Sequence, residues 1–258
     1  MHIAFFDSGV GGLTVLYEGM KKMPGENFIY FGDSRHAPYG TKSREEIKEL
    51  VFNAVDFLAA KGLKALVLAC NTATSVAVKD LRKKYDFPII GMEPAVKPAV
   101  ENSEEYKVLV CATDLTLREE KLNDLVRNLK ADNKVDYLSL QELVMFAENF
   151  KINGSEVNAY LEKKLSQPDW SKYNSIVLGC THFIFFREQI RKLIPEHIRI
   201  LDGNEGTVNN LITKIEVSND SEGKRIKYYI SGDEAEAGYF EKYLDYLSET
   251  DTLKGQVL

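Results

Sequence analysis

The sequence predicts an α/β protein built from two similar parallel-sheet domains related by pseudo-twofold duplication. Three observations predict it. Short apolar runs bounded by turn residues alternate with longer amphipathic stretches along the chain, the pattern of parallel strands joined by helical crossovers. One segment is written twice: Val67-Leu68-Ala69-Cys70-Asn71-Thr72 aligns without a gap on Val177-Leu178-Gly179-Cys180-Thr181-His182. The chain has 258 residues, 44% hydrophobic and 28% charged, enough for two domains of ordinary size. The spacing of the repeat is too long for a solenoid, so it reads as domain duplication.

Ile3 to Phe6 reads as a strand, Asp7 to Gly12 as a glycine-rich turn and Leu13 to Met23 as a helix. Asn27 to Phe31 is a second strand, followed by a loop rich in breakers from Gly32 to Thr41. Ser43 and Glu46 have capping-box spacing for a helix from Arg44 to Lys61. Ala65 to Ala69 is a strand buried on both faces, and Asn71, Thr72 and Thr74 open the next helix, which runs through Lys84. Pro88 to Gly91 is a short strand, and a helix starts at Glu93-Pro94.

The second half opens with a strand from Lys107 to Cys111, an amphipathic stretch from Leu117 to Lys130 and a strand from Val135 to Leu138. Glu142 to Phe150 is loop or helix, Ser155 to Leu165 a helix, Ser175 to Leu178 a strand, and Ile198 to Leu201 another. Asn204 to Ile215 is helical, Val217 to Arg225 a polar turn, Arg225 to Ile230 a strand and Glu234 to Leu247 a final helix. The domain boundary falls near residue 95, and by pattern alone the tail after about 205 fits either half.

The net charge of −6 argues against a nucleic-acid surface. No run approaches the roughly 18 apolar residues of a membrane span, and the start has no basic, apolar leader. A cytoplasmic protein with free thiols is expected, since its three cysteines sit in strand contexts. No CxxC pair occurs, so no metal site is expected.

Cys70 and Cys180 each stand where a strand ends, which is where open α/β sheets bind ligands. One such cysteine is ordinarily a packed residue; two in matching polar contexts suggest chemistry. Two thiols facing one cleft suit a reaction that removes a proton from one face of a carbon and returns one to the other, as in racemisation. Asn71, Thr72, Thr74, Thr113 and Thr181 are neutral donors for the carbanion, and Asp7 and His182 are titratable neighbours. A Cys180–His182 nucleophile and disulfide redox chemistry are the rival readings.

Phe5-Phe6-Asp7-Ser8-Gly9-Val10-Gly11-Gly12-Leu13-Thr14, Gly32-Asp33 with Pro38-Tyr39-Gly40, Ala69-Cys70-Asn71-Thr72-Ala73-Thr74 and Gly179-Cys180-Thr181-His182-Phe183 together resemble the glutamate racemases, within the aspartate/glutamate racemase family. The resemblance spans essentially the whole chain. It implies a homodimer needing no cofactor, with the small-molecule substrate glutamate bound in a cleft between the two domains, and a supply of D-glutamate for peptidoglycan. It implies that Cys70 and Cys180 are the acid/base pair, assisted by Asp7, His182 and Glu148. Substrate contacts are implied at Asp7, Ser8, Tyr39, Gly40, Asn71, Thr72, Thr113, Thr181 and His182. The tail is implied to return to the first domain, giving 1–95 plus 205–258 against 96–204.

Departures occur at Leu138 to Val144, where the family has a proline-containing segment and Glu148 matches on spacing, at Ile184, which replaces a proline, and at Val110 to Asp114. Cys111 reads as a packed strand cysteine. Aspartate racemisation and amino-acid binding without turnover are the alternatives.

Overall fold

The computed structural model describes the chain except residues 102, 104, 119, 219–224, 237 and 256–258. It divides into two units, Met1–Met92 with Asn204–Leu258, and Glu93–Gly203. The first break lies three residues before the sequence boundary, because Met92 still donates its N–H to Leu68 O at 2.9 Å and so finishes the first sheet.

In the first unit, β1 (His2–Asp7) is followed by α1 (Leu13–Lys22), β2 (Phe28–Gly32), α2 (Arg44–Ala59), β3 (Leu63–Leu68), α3 (Asn71–Lys84) and β4 (Ile89–Gly91). Ile3, Ala4, Phe5 and Phe6 are all fully buried, so both faces of β1 are covered, as apolar runs without alternation require. The capping box of α2 forms: Ser43 Oγ accepts from Glu46 N at 3.2 Å, and Glu46 Oε2 accepts from Ser43 N at 3.0 Å.

The second unit holds α4 (Val96–Glu101), β5 (Lys107–Ala112), α5 (Asp114–Arg118), α6 (Glu120–Asn128), β6 (Val135–Ser139), α7 (Glu142–Glu148), α8 (Ser155–Leu165), β7 (Tyr173–Leu178), α9 (Arg187–Leu193) and β8 (Arg199–Asp202). The chain then returns to the first unit as α10 (Asn204–Ile212), β9 (Ile226–Ile230), β10 (Asp233–Glu234) and α11 (Glu241–Gly255).

The two sheets share one parallel plan. The strand order β2-β1-β3-β4 of the first recurs as β6-β5-β7-β8 in the second. Even an irregularity repeats: the β1–β3 register shifts between His2 and Ile3, and the β5–β7 register between Lys107 and Val108. Ala69 N donates to Phe6 O at 2.8 Å, as Gly179 N donates to Cys111 O at 2.7 Å. The registers therefore make Cys70 the twin of Cys180, and Asp7 the twin of Ala112.

Several elements depart from the sequence expectation. The stretch read as amphipathic from Leu117 to Lys130 takes in the end of α5 and all of α6, and α5 starts at Asp114 because Thr113 supplies an acceptor to Thr116 N. The helix expected from Pro94 begins at Val96. The last helix begins at Glu241, because Asp233 and Glu234 instead pair antiparallel with Ile230 and Tyr229 across a turn that Gly232, at φ +100°, allows. Helix α9 was not foreseen. Of the polar turn expected at Val217 to Arg225, residues 219–224 lie outside the described residues. No described helix is long and apolar enough to cross a membrane.

Candidate active site

In the first unit the site residues gather at the carboxyl ends of β1, β2 and β3. Cys70 follows β3 after Ala69 and is itself the N-cap of α3, its Sγ accepting from Ala73 N at 3.4 Å. Its thiol also donates to Ser8 Oγ at 3.4 Å. The start of a helix carries partial positive charge, which favours negative charge on a capping atom. Asp7 is fully buried at the end of β1, and its Oδ1 accepts from Gly9 N at 3.0 Å, which folds the turn into α1. It does not cap that helix; Gly12 does, and a Cβ there would lie 2.5 Å from Asp7 Cβ.

Asn71 and Thr72 form the first turn of α3, both buried, and Asn71 Oδ1 has no hydrogen-bond partner among the described residues. Thr74 has a different task from the one expected. Its hydroxyl donates to Leu68 O at 3.1 Å and accepts from Met92 N at 3.2 Å, tying α3 to the ends of β3 and β4. Tyr39 and Gly40 lie in a 3-10 turn, Tyr39–Thr41, packed against α3. The Tyr39 hydroxyl donates to Asp33 Oδ2 at 2.6 Å. Burial, and then the nearby Asp33, Cys70 and Asp7, push its pKa far above that of an ordinary phenol, so it stays a donor.

In the second unit Cys180 follows β7 and caps a 3-10 turn, Thr181–Phe186, rather than an α-helix. That tight turn brings the His182 ring back onto the thiol, with Nδ1 3.7 Å from Cys180 Sγ. The other ring nitrogen, Nε2, lies 2.6 Å from Glu148 Oε1 at the end of α7. Both side chains are deeply buried, 2% exposed for His182 and 8% for Glu148. Burial pushes the His182 pKa down, but the hydrogen bonds and charges of Cys180 and Glu148 outweigh it and hold it well above the usual imidazole range. The ring is then an imidazolium donating from both nitrogens.

Thr181 is buried beside Cys180, and Thr113, the twin of Ser8, donates to Thr116 Oγ1 at 2.9 Å. Cys111 is the twin of Phe6, fully buried inside β5, with burial alone pushing its thiol up. Among the described residues no group of three or more His, Cys, Asp or Glu side chains is placed to hold a metal ion.

The structure thus joins Ser8 to Cys70, Cys180 to His182, and His182 to Glu148. Two buried polar residues escaped the sequence reading. Asp33 stood in a quoted motif without a role, and a buried tyrosine six residues on was its only signal. Thr116 had no signal beyond its helical spacing from Thr113.

Residues 16–211 match the family described as Asp/Glu/Hydantoin racemase. Glutamate racemase of Halothermothrix orenii is 51% identical over 253 residues, covering 96% of this chain and 100% of that one. Glutamate racemase 2 of Bacillus subtilis is 45% identical, covering 97% of each chain. Among solved structures, glutamate racemase of Campylobacter jejuni superposes with a TM-score of 0.80 at 25% identity, over 95% of this chain and 97% of that one. The Escherichia coli glutamate racemase, solved with L-glutamate and the activator UDP-MurNAc-ala, gives 0.77 at 30% identity, over 87% of this chain and 88% of that one.

Proposed function

From the premise that the chain belongs to the Asp/Glu/Hydantoin racemase family, we propose that it interconverts L- and D-glutamate without a cofactor, using Cys70 and Cys180 as the acid/base pair. The observation that carries this reading is the twin placement of the two thiols at equivalent strand ends, each with a different polar partner: Ser8 at Cys70, His182 at Cys180.

The chemistry is symmetric. A thiolate takes the α-hydrogen as a proton, and the C–H electron pair stays on carbon, delocalised into the α-carboxylate. The thiol on the opposite face then delivers its proton to that carbon. The substrate's hand inverts, one cysteine has gained a proton, and the other has lost one. The barrier lies in the weak acidity of the α-carbon, so fixed donors matter most. The first-turn backbone of α3 at Asn71 and Thr72 suits a carboxylate, as do the hydroxyls of Ser8 and Thr181, whereas that of Thr113 is already donated to Thr116. Asn71 Oδ1, without a partner among the described residues, and the buried Asp7 suit an ammonium group. The backbone of Tyr39 and Gly40 supplies the remaining contact. His182, charged through Glu148, stabilises a thiolate at Cys180, whereas Asp7 attends Cys70.

In the cell this activity supplies D-glutamate for peptidoglycan from the cytoplasm, by a homodimer. The test is circular dichroism of L- and D-glutamate and L- and D-aspartate incubated with protein dialysed against chelator, with no pyridoxal phosphate added. Both glutamate signals decay to zero and aspartate persists. Faster loss of the aspartate signal would overturn the substrate, and four unchanged signals would favour a binding protein without turnover.

A further inference from the structure

The duplication singles out a buried carboxylate whose equivalent position in the other unit is apolar. After the last β1–β2 pair, Asp7 with Gly32, Asp33 N donates to Asp7 O at 3.0 Å. After the last β5–β6 pair, Ala112 with Ser139, Leu140 N donates to Ala112 O at 3.3 Å. Each residue then starts a turn of the same kind: His36 N donates to Asp33 O at 2.9 Å, and Leu143 N to Leu140 O at 3.0 Å. Asp33 and Leu140 therefore occupy one position of the fold. It is buried in both units, at 3% and 0% exposed. The second unit fills it with a leucine, the ordinary choice for a buried site. The first fills it with an acid, which is costly there unless the acid is fully hydrogen-bonded.

Asp33 is hydrogen-bonded on both oxygens. Oδ2 accepts from the Tyr39 hydroxyl at 2.6 Å, and Oδ1 lies 2.8 Å from His36 Nδ1. Both partners belong to the loop that follows β2. Tyr39 is 1% exposed, its ring set 6.4 Å from that of Phe6, so the phenol has little room to relocate. The loop's outer edge is held separately, by Arg35 Nη1 to Asp233 Oδ2 at 2.6 Å and Arg35 N to Ser231 Oγ at 3.3 Å. The Asp33 contact is thus the inner tie, and the Tyr39–Thr41 turn it holds packs against α3, the helix capped by Cys70.

We propose that Asp33 is a positioning residue for the reaction: its buried carboxylate, clamped on the Tyr39 hydroxyl, fixes the Tyr39–Gly40 backbone where it meets the substrate. The inference deepens the racemase reading and rests on it. It explains why Tyr39 is a tyrosine although its hydroxyl faces away from any substrate role: the hydroxyl is already donated to Asp33. It also explains why the acid occurs in one half only, since the equivalent turn in the other half leads into α7.

The experiment compares wild type with Asp33→Leu, Asp33→Asn, Tyr39→Phe and the double variant Asp33→Leu/Tyr39→Phe. Asp33→Leu installs the residue that the twin position already accommodates, and thermal melting establishes that each variant is folded. Steady-state racemisation and calorimetric D-glutamate binding are measured on each. Asp33→Leu and Tyr39→Phe each raise KM and weaken D-glutamate binding about ten-fold, with a smaller change in kcat, as expected when one charge-assisted hydrogen bond is lost. Asp33→Asn retains an acceptor and recovers most of the loss. The double variant is no worse than the poorer single one, because both remove the same contact. Folded variants with unchanged KM and binding, or losses that multiply in the double variant, overturn the inference while wild type remains active. A wild type that neither binds nor racemises glutamate overturns the racemase reading instead, and the inference goes with it.

Discussion

Neutralising Glu148 isolates what the second thiol receives from its neighbours. Glu148→Gln keeps an oxygen acceptor beside His182 Nε2, where Oε1 now lies at 2.6 Å, and removes only the charge. A hydrogen bond to an ionised acceptor is worth about 1.5–3 kcal/mol, against about 1 kcal/mol between neutral groups. With both side chains more than nine-tenths buried, solvent does little to screen the difference. The imidazolium therefore loses about 1–2 kcal/mol of support, a factor of about 5–30 in its protonation equilibrium, and the thiolate it stabilises loses the same charge-assisted support.

On the proposed mechanism, only the proton transfer at Cys180 feels this loss. The assay is elimination from the two enantiomers of a β-halogenated glutamate, each reporting deprotonation from one face. Elimination from the hand facing Cys180 slows by that factor, and the other hand changes less than about two-fold. Equal slowing of both hands, or of neither, refutes the reasoning.

Stability carries the same signature. The His182 pKa is raised in the fold, so its stabilising contribution is fully present below about pH 6.5 and is lost as pH rises through the raised value. Urea titrations across that range show wild type weakening on the alkaline side, and Glu148→Gln weaker at neutral pH with a flatter profile.

Cys70→Ser and Cys180→Ser each abolish full racemisation but keep elimination on opposite enantiomers, whereas Cys111→Ser, changed at a buried thiol inside β5, retains turnover with both hands; the same hand lost in both single variants would sink the two-face mechanism. Glu26→Gln weakens the buried carboxylate that accepts from Lys64 Nζ at 2.6 Å and Ser218 N at 2.7 Å, lowering stability by about 1–3 kcal/mol in urea while specific activity holds; lost activity at unchanged stability contradicts that reading. Gly12→Ala forces a Cβ to within 2.5 Å of Asp7 Cβ, and since backbone must shift, stability falls by about 1–3 kcal/mol and kcat falls with it; a fully active, equally stable variant would show that Asp7 tolerates displacement.

Much of this protein is written in local sequence. Apolar runs without alternation, such as Ala65 to Ala69, are too short for helices and fit strands covered on both faces, and a parallel sheet follows from that burial. The duplicated strand–thiol stretch placed Cys70 and Cys180 at strand ends, because the switch from apolar to small polar residues marks where the chain leaves the sheet. The Ser43–Glu46 capping box is legible for the same reason: both partners lie within one helical turn. What only the tertiary structure decided depends on residues distant in the chain, or on a turn geometry that sequence leaves open. Cys180-Thr181-His182 is ambiguous until a 3-10 turn folds the ring onto the sulfur. Glu148 reaches that ring across 34 residues, and Asp33 matters only because Tyr39 is folded back onto it. The tail's place in the first sheet comes from β9 pairing parallel to β2, Phe28 with Ile226 through Gly32 with Ile230, a contact with no local trace because hydrogen bonds between strands carry no information about the length of chain between them.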